Sequence, residues 1–342
     1  MKRRAVLRSG VGAARYRLTG HRIPLSVHLT VTRRCDALCA TCAVPLTRAR
    51  ELDTREWIGV IDALARAGTV RVGFGGGEPL VRDDLPVLID RCAEHRMWTT
   101  LETNGHRYPA RAGELGRLHR LVIALDGDRA AHDENREPGA YDKATAAIAV
   151  ASERGTDLHT VTTLTRHNLG DVGHVLDLAD RWGFVADFTP LGPLLPHAGA
   201  RALAAPPDEL RKALRGLLEA KLAGRRVGNT EKSLRYLLTW PDFAVSASTT
   251  PHEDLHCLAG QLYCAVDADG GVAPCPLLHG RFAARNVRGG GFAAAFEVLR
   301  DNACKACTST PLAEYNYLYN LNGPAVFERC KSLLRAGPAG AA

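Results

Sequence analysis

Short apolar runs alternate along this chain with segments whose apolar residues recur every three or four positions. The short runs are rich in β-branched and aromatic residues and predict six buried strands, at 25–31, 69–74, 98–102, 121–125, 158–165 and 184–188. The intervening segments predict helices, at 54–67, 84–96, 142–154 and 171–182. Strands that alternate with helices form parallel βαβ units, so the pattern predicts an α/β fold.

The first two predicted helices have recognisable ends and inner faces. Asp53 and Glu56 have the spacing of a capping box, and Gly68 is suited to end the helix that they begin. In the second helix, Cys92 falls on the apolar face. That position predicts a packed core residue rather than a metal ligand.

Six strand–helix units suit a partial TIM-like barrel, (β/α)6, whose chemistry lies at the carboxyl ends of the strands. The residues of the barrel that are singled out below as candidates for this chemistry follow the ends of predicted strands. Two further helices are predicted after the barrel, at 206–224 and 231–240, the first with proline in its opening turn.

Three cysteines follow the first strand with the spacing C-x3-C-x2-C: Cys35, Cys39 and Cys42. Three thiolates on one tight loop can hold three irons of a [4Fe–4S] cluster. The loop has no fourth cysteine, so one iron would keep an open position, as a catalytic metal site does. The alternatives are a structural zinc knuckle or cysteines that are merely buried, although zinc sites usually have paired C-x2-C elements.

A glycine cluster follows the second strand and ends in Gly76, Gly77, Glu78 and Pro79. Glycine lets the backbone approach a ligand closely and adopt a positive φ. Carbonyl groups exposed in such a turn, with the Glu78 carboxylate nearby, could accept hydrogen bonds from an ammonium group. Alone, a glycine-rich turn is more often a loop than a site.

The cysteine loop and the Gly-Gly-Glu-Pro turn, with one helix between them, resemble the radical S-adenosylmethionine (SAM) superfamily. The resemblance implies that the open iron chelates the methionine part of SAM and that the turn holds its amino group. It also implies that one electron from the cluster cleaves SAM to a 5′-deoxyadenosyl radical, which abstracts hydrogen from a substrate C–H bond.

Two more residues belong to the SAM site that the resemblance implies. Asn104 follows the third strand, and Asp126 follows the fourth, in a segment similar to the family's. Asp126 would contact the ribose of SAM, but its Asp-Gly pair is equally typical of a simple turn. Two positions depart from the family pattern: Thr41 replaces a frequent aromatic residue, and Ala124 replaces a common serine.

Four C-terminal cysteines fit one further metal site: Cys257, Cys275, Cys304 and Cys307. The first two flank a predicted β-hairpin, and the last two form a C-x2-C pair. Such a set can ligate a [4Fe–4S] cluster fully, or hold zinc with four cysteines. The region resembles the SPASM/twitch domains that follow radical SAM barrels. The resemblance implies one auxiliary [4Fe–4S] cluster and leaves open whether there is a second.

Two other C-terminal cysteines bear on that second cluster. Cys264 lies inside a predicted strand and is expected to pack, whereas Cys330 is left open between core residue and ligand. The expected organisation of the chain is a basic N-terminal segment (1–22), the barrel (23–200), a helical bridge (201–250), a small α+β auxiliary-cluster domain (251–335) and a disordered tail (336–342). The two helices of the bridge, together with residues 191–205, are expected to line one wall of the substrate cavity.

Composition limits the partners and the compartment. The 342 residues carry a formal charge of +7 but show no nucleic-acid-binding module, so a nucleic-acid partner is not expected. They contain no apolar run long enough to span a membrane, and the basic N-terminus lacks a signal peptide's apolar stretch. Ten cysteines then fit metal sites in a reducing compartment, which predicts a cytoplasmic protein.

The resemblance leaves the substrate open among peptides, protein side chains, sugars, aminocyclitols and nucleosides. The first strand begins at residue 25, which leaves little room for a domain that binds a leader peptide. We therefore expect a small-molecule tailoring enzyme; the alternative is a peptide or protein maturase, and a more distant one is a non-catalytic iron–sulfur or zinc scaffold. The auxiliary cluster would take part in electron transfer, and a flavodoxin or ferredoxin would serve as reductant.

Overall fold

The structure is a computed structural model that describes residues 2–192, 202–278 and 282–335. Its strands are β1 (Ser26–Thr32), β2 (Arg71–Gly76), β3 (Trp98–Thr103), β4 (Arg120–Ala124), β5 (Leu158–Leu164), β6 (Val185–Pro190), β7 (Ala247–Ser248), β8 (Tyr263–Val266), β9 (Gly271–Ala273), β10 (Arg285–Asn286) and β11 (Ala306–Cys307). Its helices are α1 (Lys2–Thr19), α2 (Thr54–Arg66), α3 (Leu85–Glu94), α4 (Tyr108–Arg111), α5 (Arg129–Asn135), α6 (Ala140–Glu153), α7 (Val172–Trp182), α8 (Pro207–Leu222), α9 (Glu231–Leu238), α10 (Gly291–Glu297), α11 (Thr310–Tyr319) and α12 (Gly323–Arg335).

The first six strands lie side by side in chain order, and every neighbouring pair is parallel. Each begins within two residues of its predicted start. This confirms the α/β fold with a partial TIM-like barrel. The carboxyl ends of all six strands therefore meet at one end of the barrel, where the cysteine loop and the glycine turn also lie.

The helices pack their apolar faces on the outside of this sheet. The capping box of α2 is present, because the Asp53 carboxylate accepts from the Glu56 amide and the Glu56 carboxylate accepts from the Asp53 amide. An N-cap of this kind contributes about 1 kcal/mol to stability. Trp57 and Cys92 are both fully buried, so Cys92 is the core residue that the pattern predicted.

The predicted C-terminal hairpin forms, but it also joins the barrel. Strands β8 and β9 pair antiparallel, and β8 pairs in parallel with β1, with Val27 opposite Cys264. One sheet of nine strands results, in the order β10-β9-β8-β1-β2-β3-β4-β5-β6. The strand that leads into the cysteine loop is thus bonded directly to the hairpin that leads into the second set of cysteines.

The basic N-terminal segment folds as the 18-residue helix α1, which the apolar pattern did not predict. Its buried positions are small residues, among them Ser9, Gly12 and Ala13, so no apolar stripe marks the packed face. The helix is joined to the barrel by Lys2, whose ammonium lies 3.3 Å from the Asp157 carboxylate. Small residues let α1 approach the barrel closely, which spacing of large apolar residues cannot reveal.

Helices α8 and α9 occupy the predicted bridge and pack on each other. The predicted tail, 336–342, lies outside the described residues, and the division of the chain into domains remains a prediction. Within the described ranges, no helix combines the length and the apolar character needed to cross a membrane.

Candidate functional site

The three cysteines of the loop after β1 lie at the carboxyl end of the barrel, and all three are partly exposed. Burial raises the pKa of the Cys35 thiol to about 12 and raises that of Cys39 as well. The Arg136 guanidinium opposes the shift at Cys39, and its Nη1 donates to Cys39 Sγ at 3.8 Å. A cation beside these sulfurs suits thiolates that bind metal, so the donor set fits an anionic iron–sulfur cluster.

The glycine turn packs directly against this loop. The Gly77 amide donates to Thr32 O at 2.8 Å, and the Glu78 amide donates to Arg34 O at 2.9 Å. A Cβ added to Gly77 would lie 2.1 Å from Arg34 O, and one added to Gly76, where φ is +123°, would lie 2.4 Å from Thr32 O. Both positions therefore require glycine, because any side chain there would fill the space between the turn and the cysteine loop.

Glu78 is fully buried beneath the turn. Its carboxylate accepts hydrogen bonds from the Leu80 amide, the Thr103 hydroxyl and the Asn104 amide, at 2.8, 2.9 and 2.8 Å. Burial raises its pKa to about 7, although the three donors favour the charged form. In this structure Glu78 ties the turn to the end of β3; its contact with the amino group of SAM remains a prediction.

Asn104 joins the end of β3 to the cysteine loop. Its Nδ2 donates to Asp36 Oδ1 at 2.9 Å, and Arg107 Nε donates to the other oxygen of that carboxylate at 2.6 Å. Asp36 directly follows Cys35, so this contact orients the loop at its first cysteine. Asp36 and Arg107 are not among the residues predicted from the sequence, because a single carboxylate and a surface arginine have no spacing that marks them.

Asp126 is buried at the end of β4. Its carboxylate accepts from Arg136 Nε at 2.7 Å and from the Thr163 amide at 2.9 Å. Gly127 has a φ of +147°, which a tight turn requires of glycine, so the turn is present. Asp126 thereby positions the arginine that reaches Cys39, while its contact with the ribose remains a prediction.

The four C-terminal cysteines come together beside the hairpin. A hydrogen bond with Cys304 lowers the pKa of Cys257 to about 6, and the Tyr263 hydroxyl lies 3.5 Å from Cys257 Sγ. Burial raises the pKa of Cys275 to about 12 and raises that of Cys307. Cys257, Cys275 and Cys307 all raise the pKa of Cys304, so the four thiols lie near one another; that they ligate one cluster remains a prediction.

The other two C-terminal cysteines differ in their burial and lie on different elements. Cys264 is buried in β8, as expected of a packed residue, whereas Cys330 is exposed on α12. The core alternative for Cys330 is therefore wrong. Across 2–192, 202–278 and 282–335, no three His, Cys, Asp or Glu side chains form a group suited to one metal ion.

A cavity of about 260 Å³ is lined by Cys42 and by Leu277 and Thr308, which are close in the chain to Cys275 and Cys307. One wall is the cysteine loop from Thr41 to Val44, and the opposite wall includes Leu277 and Ser309. Leu191 and Gly192 also line it, as predicted for the chain after the barrel, but 193–201 lies outside the described residues. Among the lining residues that the structure describes, none belongs to α8 or α9, so those helices do not form the wall that we expected of the bridge.

Comparison with known proteins agrees with this geometry. A family model described as the radical SAM superfamily matches residues 29–179. The mycofactocin maturase MftC of Mycobacterium ulcerans (strain Agy99) is 32% identical over 303 residues, which are 83% of this chain and 80% of the maturase. The PqqA peptide cyclase of Granulibacter bethesdensis is 32% identical over 172 residues, 47% of this chain and 45% of the cyclase.

Among solved structures, Streptococcus suis SuiB bound to precursor peptide SuiA superposes with a TM-score of 0.67. It shares 15% identity and covers 84% of this chain and 67% of SuiB, so it supports the fold. The fold and the cysteine loop define an enzyme that uses a [4Fe–4S] cluster and SAM. This chain belongs to the radical SAM superfamily, with a C-terminal part of the SPASM/twitch type, in which auxiliary clusters are found.

Replacing Gly77 by alanine should weaken SAM binding at least tenfold, which corresponds to about 1.4 kcal/mol. The new Cβ would collide with the backbone of Arg34, and backbone can yield only if the cysteine loop moves. Isothermal titration of the anaerobic, cluster-loaded variant with SAM measures the effect. Gly59→Ala is the matched control, because Gly59 is exposed on α2 and its Cβ would meet nothing within 4 Å. Equal SAM affinity in both variants would contradict the close packing of turn and loop.

Proposed function

We propose that this radical SAM enzyme modifies a peptide. The observation that carries the proposal is this cavity, because a substrate held there lies beside Cys42 of the cysteine loop and beside Thr308, which follows Cys307. The relatives named a maturase and a peptide cyclase support a peptide over the small molecule that we expected from the sequence. The cavity is open to the surface, as a site for one segment of a longer chain must be.

In this proposal the loop cysteines Cys35, Cys39 and Cys42 hold the catalytic cluster. The SAM-binding residues are Gly76, Gly77, Glu78, Pro79, Asn104 and Asp126. When bound, the cluster and SAM supply reductive cleavage of SAM and removal of a hydrogen atom from a substrate C–H bond. An electron carrier such as a flavodoxin or ferredoxin would supply the reducing electron.

The chain's own residues position these groups. Glu78 and Asp36 fix the turn and the cysteine loop to the end of β3, and Asp126 directs Arg136 to Cys39. The auxiliary [4Fe–4S] cluster would be held by the C-terminal set, Cys257, Cys275, Cys304 and Cys307. Strand β8 pairs with β1, so the sheet that leads into the cysteine loop also contains the hairpin that leads into Cys275.

The first experiment is anaerobic reconstitution with iron and sulfide, followed by SAM and dithionite. We expect 5′-deoxyadenosine and about eight irons per chain, four for each cluster. Perdeuterated short peptides encoded beside the gene are then compared with labelled sugars, aminocyclitols and nucleosides. Deuterium in 5′-deoxyadenosine from a peptide, with a mass change in that peptide, supports the proposal. The proposal would be overturned if a small molecule transferred deuterium to 5′-deoxyadenosine and none of the peptides did.

A further inference from the structure

The walls of the cavity come from three parts of the chain. The cysteine loop contributes Thr41 to Val44, the barrel contributes Thr163 and Thr189 at the ends of β5 and β6, and the chain after the barrel contributes Ser246 and Ser309. A group that enters this cavity touches the loop that carries Cys42 and the segment that follows Cys307. Its lining therefore selects what can reach the reacting position.

Apart from Cys42, which is a proposed cluster ligand, every described side chain that lines the cavity is uncharged. Asp187, two residues before Thr189 in β6, does not line it, and its carboxylate is hydrogen-bonded to His159 Nδ1 at 2.8 Å. A charged side chain brought into such a space loses its hydration without gaining an opposite charge, which is unfavourable. An uncharged side chain has no such penalty and gains from the apolar part of the wall.

The cavity also offers hydroxyl groups that other groups do not occupy. Within the described ranges, the side-chain hydroxyls of Thr163, Thr189, Ser246 and Ser309 make no hydrogen bond. A hydroxyl both donates and accepts, so it can bond either the N–H or the C=O of a peptide group. The apolar space thus suits the side chain of a peptide residue, and the hydroxyls around it suit the polar backbone groups on either side of that side chain.

The size of the cavity limits how much of a peptide it can take. Its 260 Å³ is below the range of about 300–1,000 Å³ typical of pockets for drug-sized ligands. One side chain with its two flanking peptide groups fits this scale, and a folded segment does not.

We infer that this cavity receives one uncharged aliphatic or aromatic residue of the peptide substrate and that its hydroxyls bond the flanking peptide groups. The inference rests on the proposed function and specifies its substrate class. It assigns the choice of the modified residue to the space between the cysteine loop and Ser309.

The test uses capped amino acids, the N-acetyl N-methylamides of leucine, phenylalanine, glutamate and lysine. Their binding to the anaerobic holoenzyme with SAM is measured by saturation-transfer NMR. We expect the leucine and phenylalanine probes to bind at least tenfold more tightly than the two charged probes. Equal binding of charged and neutral probes, or no binding of any probe, would overturn the inference.

A pair of variants at Ser309 shows where the probes bind. Ser309 precedes α11 as its N-cap without a side-chain capping bond, so Asp and Asn are both suited to this position. Ser309→Asp should weaken binding of the leucine probe at least tenfold and strengthen binding of the lysine probe. Ser309→Asn, which is equal in size but neutral, should keep the preference of the wild type for the neutral probes. If the two variants bind all probes alike, the probes lie elsewhere and the inference fails.

The two proposals fail in different ways. If no peptide transfers deuterium to 5′-deoxyadenosine, the proposed function fails whatever the probes show. If a peptide does transfer deuterium and the probes show no preference for neutral residues, only the cavity inference fails.

Discussion

Cys39→Ala is expected to abolish SAM cleavage and to lower the iron content from about eight to about four per chain. Cys39 is the middle ligand of the proposed catalytic set, and alanine leaves one iron without its thiolate. A cluster with two protein ligands is not expected to survive isolation. The rate of 5′-deoxyadenosine formation should fall by about three orders of magnitude or more, to the level of the assay without enzyme, as when a catalytic metal is lost.

Cys92→Ala is the matched control for this variant. Cys92 is fully buried in α3 and packs in the core, so its loss should lower stability without lowering iron content. Iron counts, a thermal melt and the 5′-deoxyadenosine assay on the same samples separate the two effects. Retained SAM cleavage in Cys39→Ala would contradict the assignment of the loop as the catalytic cluster site.

Cys304→Ala should have the opposite effect to Cys39→Ala: we expect it to remove the auxiliary cluster and to leave SAM cleavage intact. Cys304 shares a hydrogen bond with Cys257 and lies near Cys275 and Cys307, so its thiolate completes the proposed set of four ligands. Iron content should fall to about four per chain. SAM cleavage without substrate should stay within about twofold of the wild type, since the cysteine loop and the glycine turn do not include this residue.

Modification of the substrate is where the loss of the auxiliary cluster should appear. We expect the modified peptide to fall below detection while 5′-deoxyadenosine is still formed, which mass spectrometry of the same reaction measures. Cys330→Ala is the control, because Cys330 is exposed on α12 and outside the proposed set. Unchanged iron in Cys304→Ala, or loss of iron in Cys330→Ala, would show that the ligand set is wrong.

Motifs formed by neighbouring residues are predictable from the amino-acid order alone. The three loop cysteines and the Gly-Gly-Glu-Pro turn are local in the chain, so their spacing carries the chemistry wherever the fold places them. The alternating pattern predicts the six strands for the same reason, since each strand is a local period of apolar residues. The capping box at Asp53 and the core position of Cys92 also depend on residues within one helix.

Contacts between distant residues are not predictable in this way. Asp36 meets Asn104 and Arg107 only because β1 and β3 end at the same side of the barrel. Arg33, two residues before Cys35, forms ion pairs with Asp267 and Asp269 at the hairpin turn, more than two hundred residues away. These contacts orient the cysteine loop, and no spacing in the chain marks them.

The amino-acid order of this protein alone thus specifies its candidate metal ligands and the alternation of strand and helix, because both are properties of neighbouring residues. Folding adds the pairing of β8 with β1, the approach of Arg136 to Cys39 and the cavity between the cysteine loop and Ser309. Each of these depends on which distant segments meet, and that is settled by packing of the whole sheet and its helices rather than by any local period.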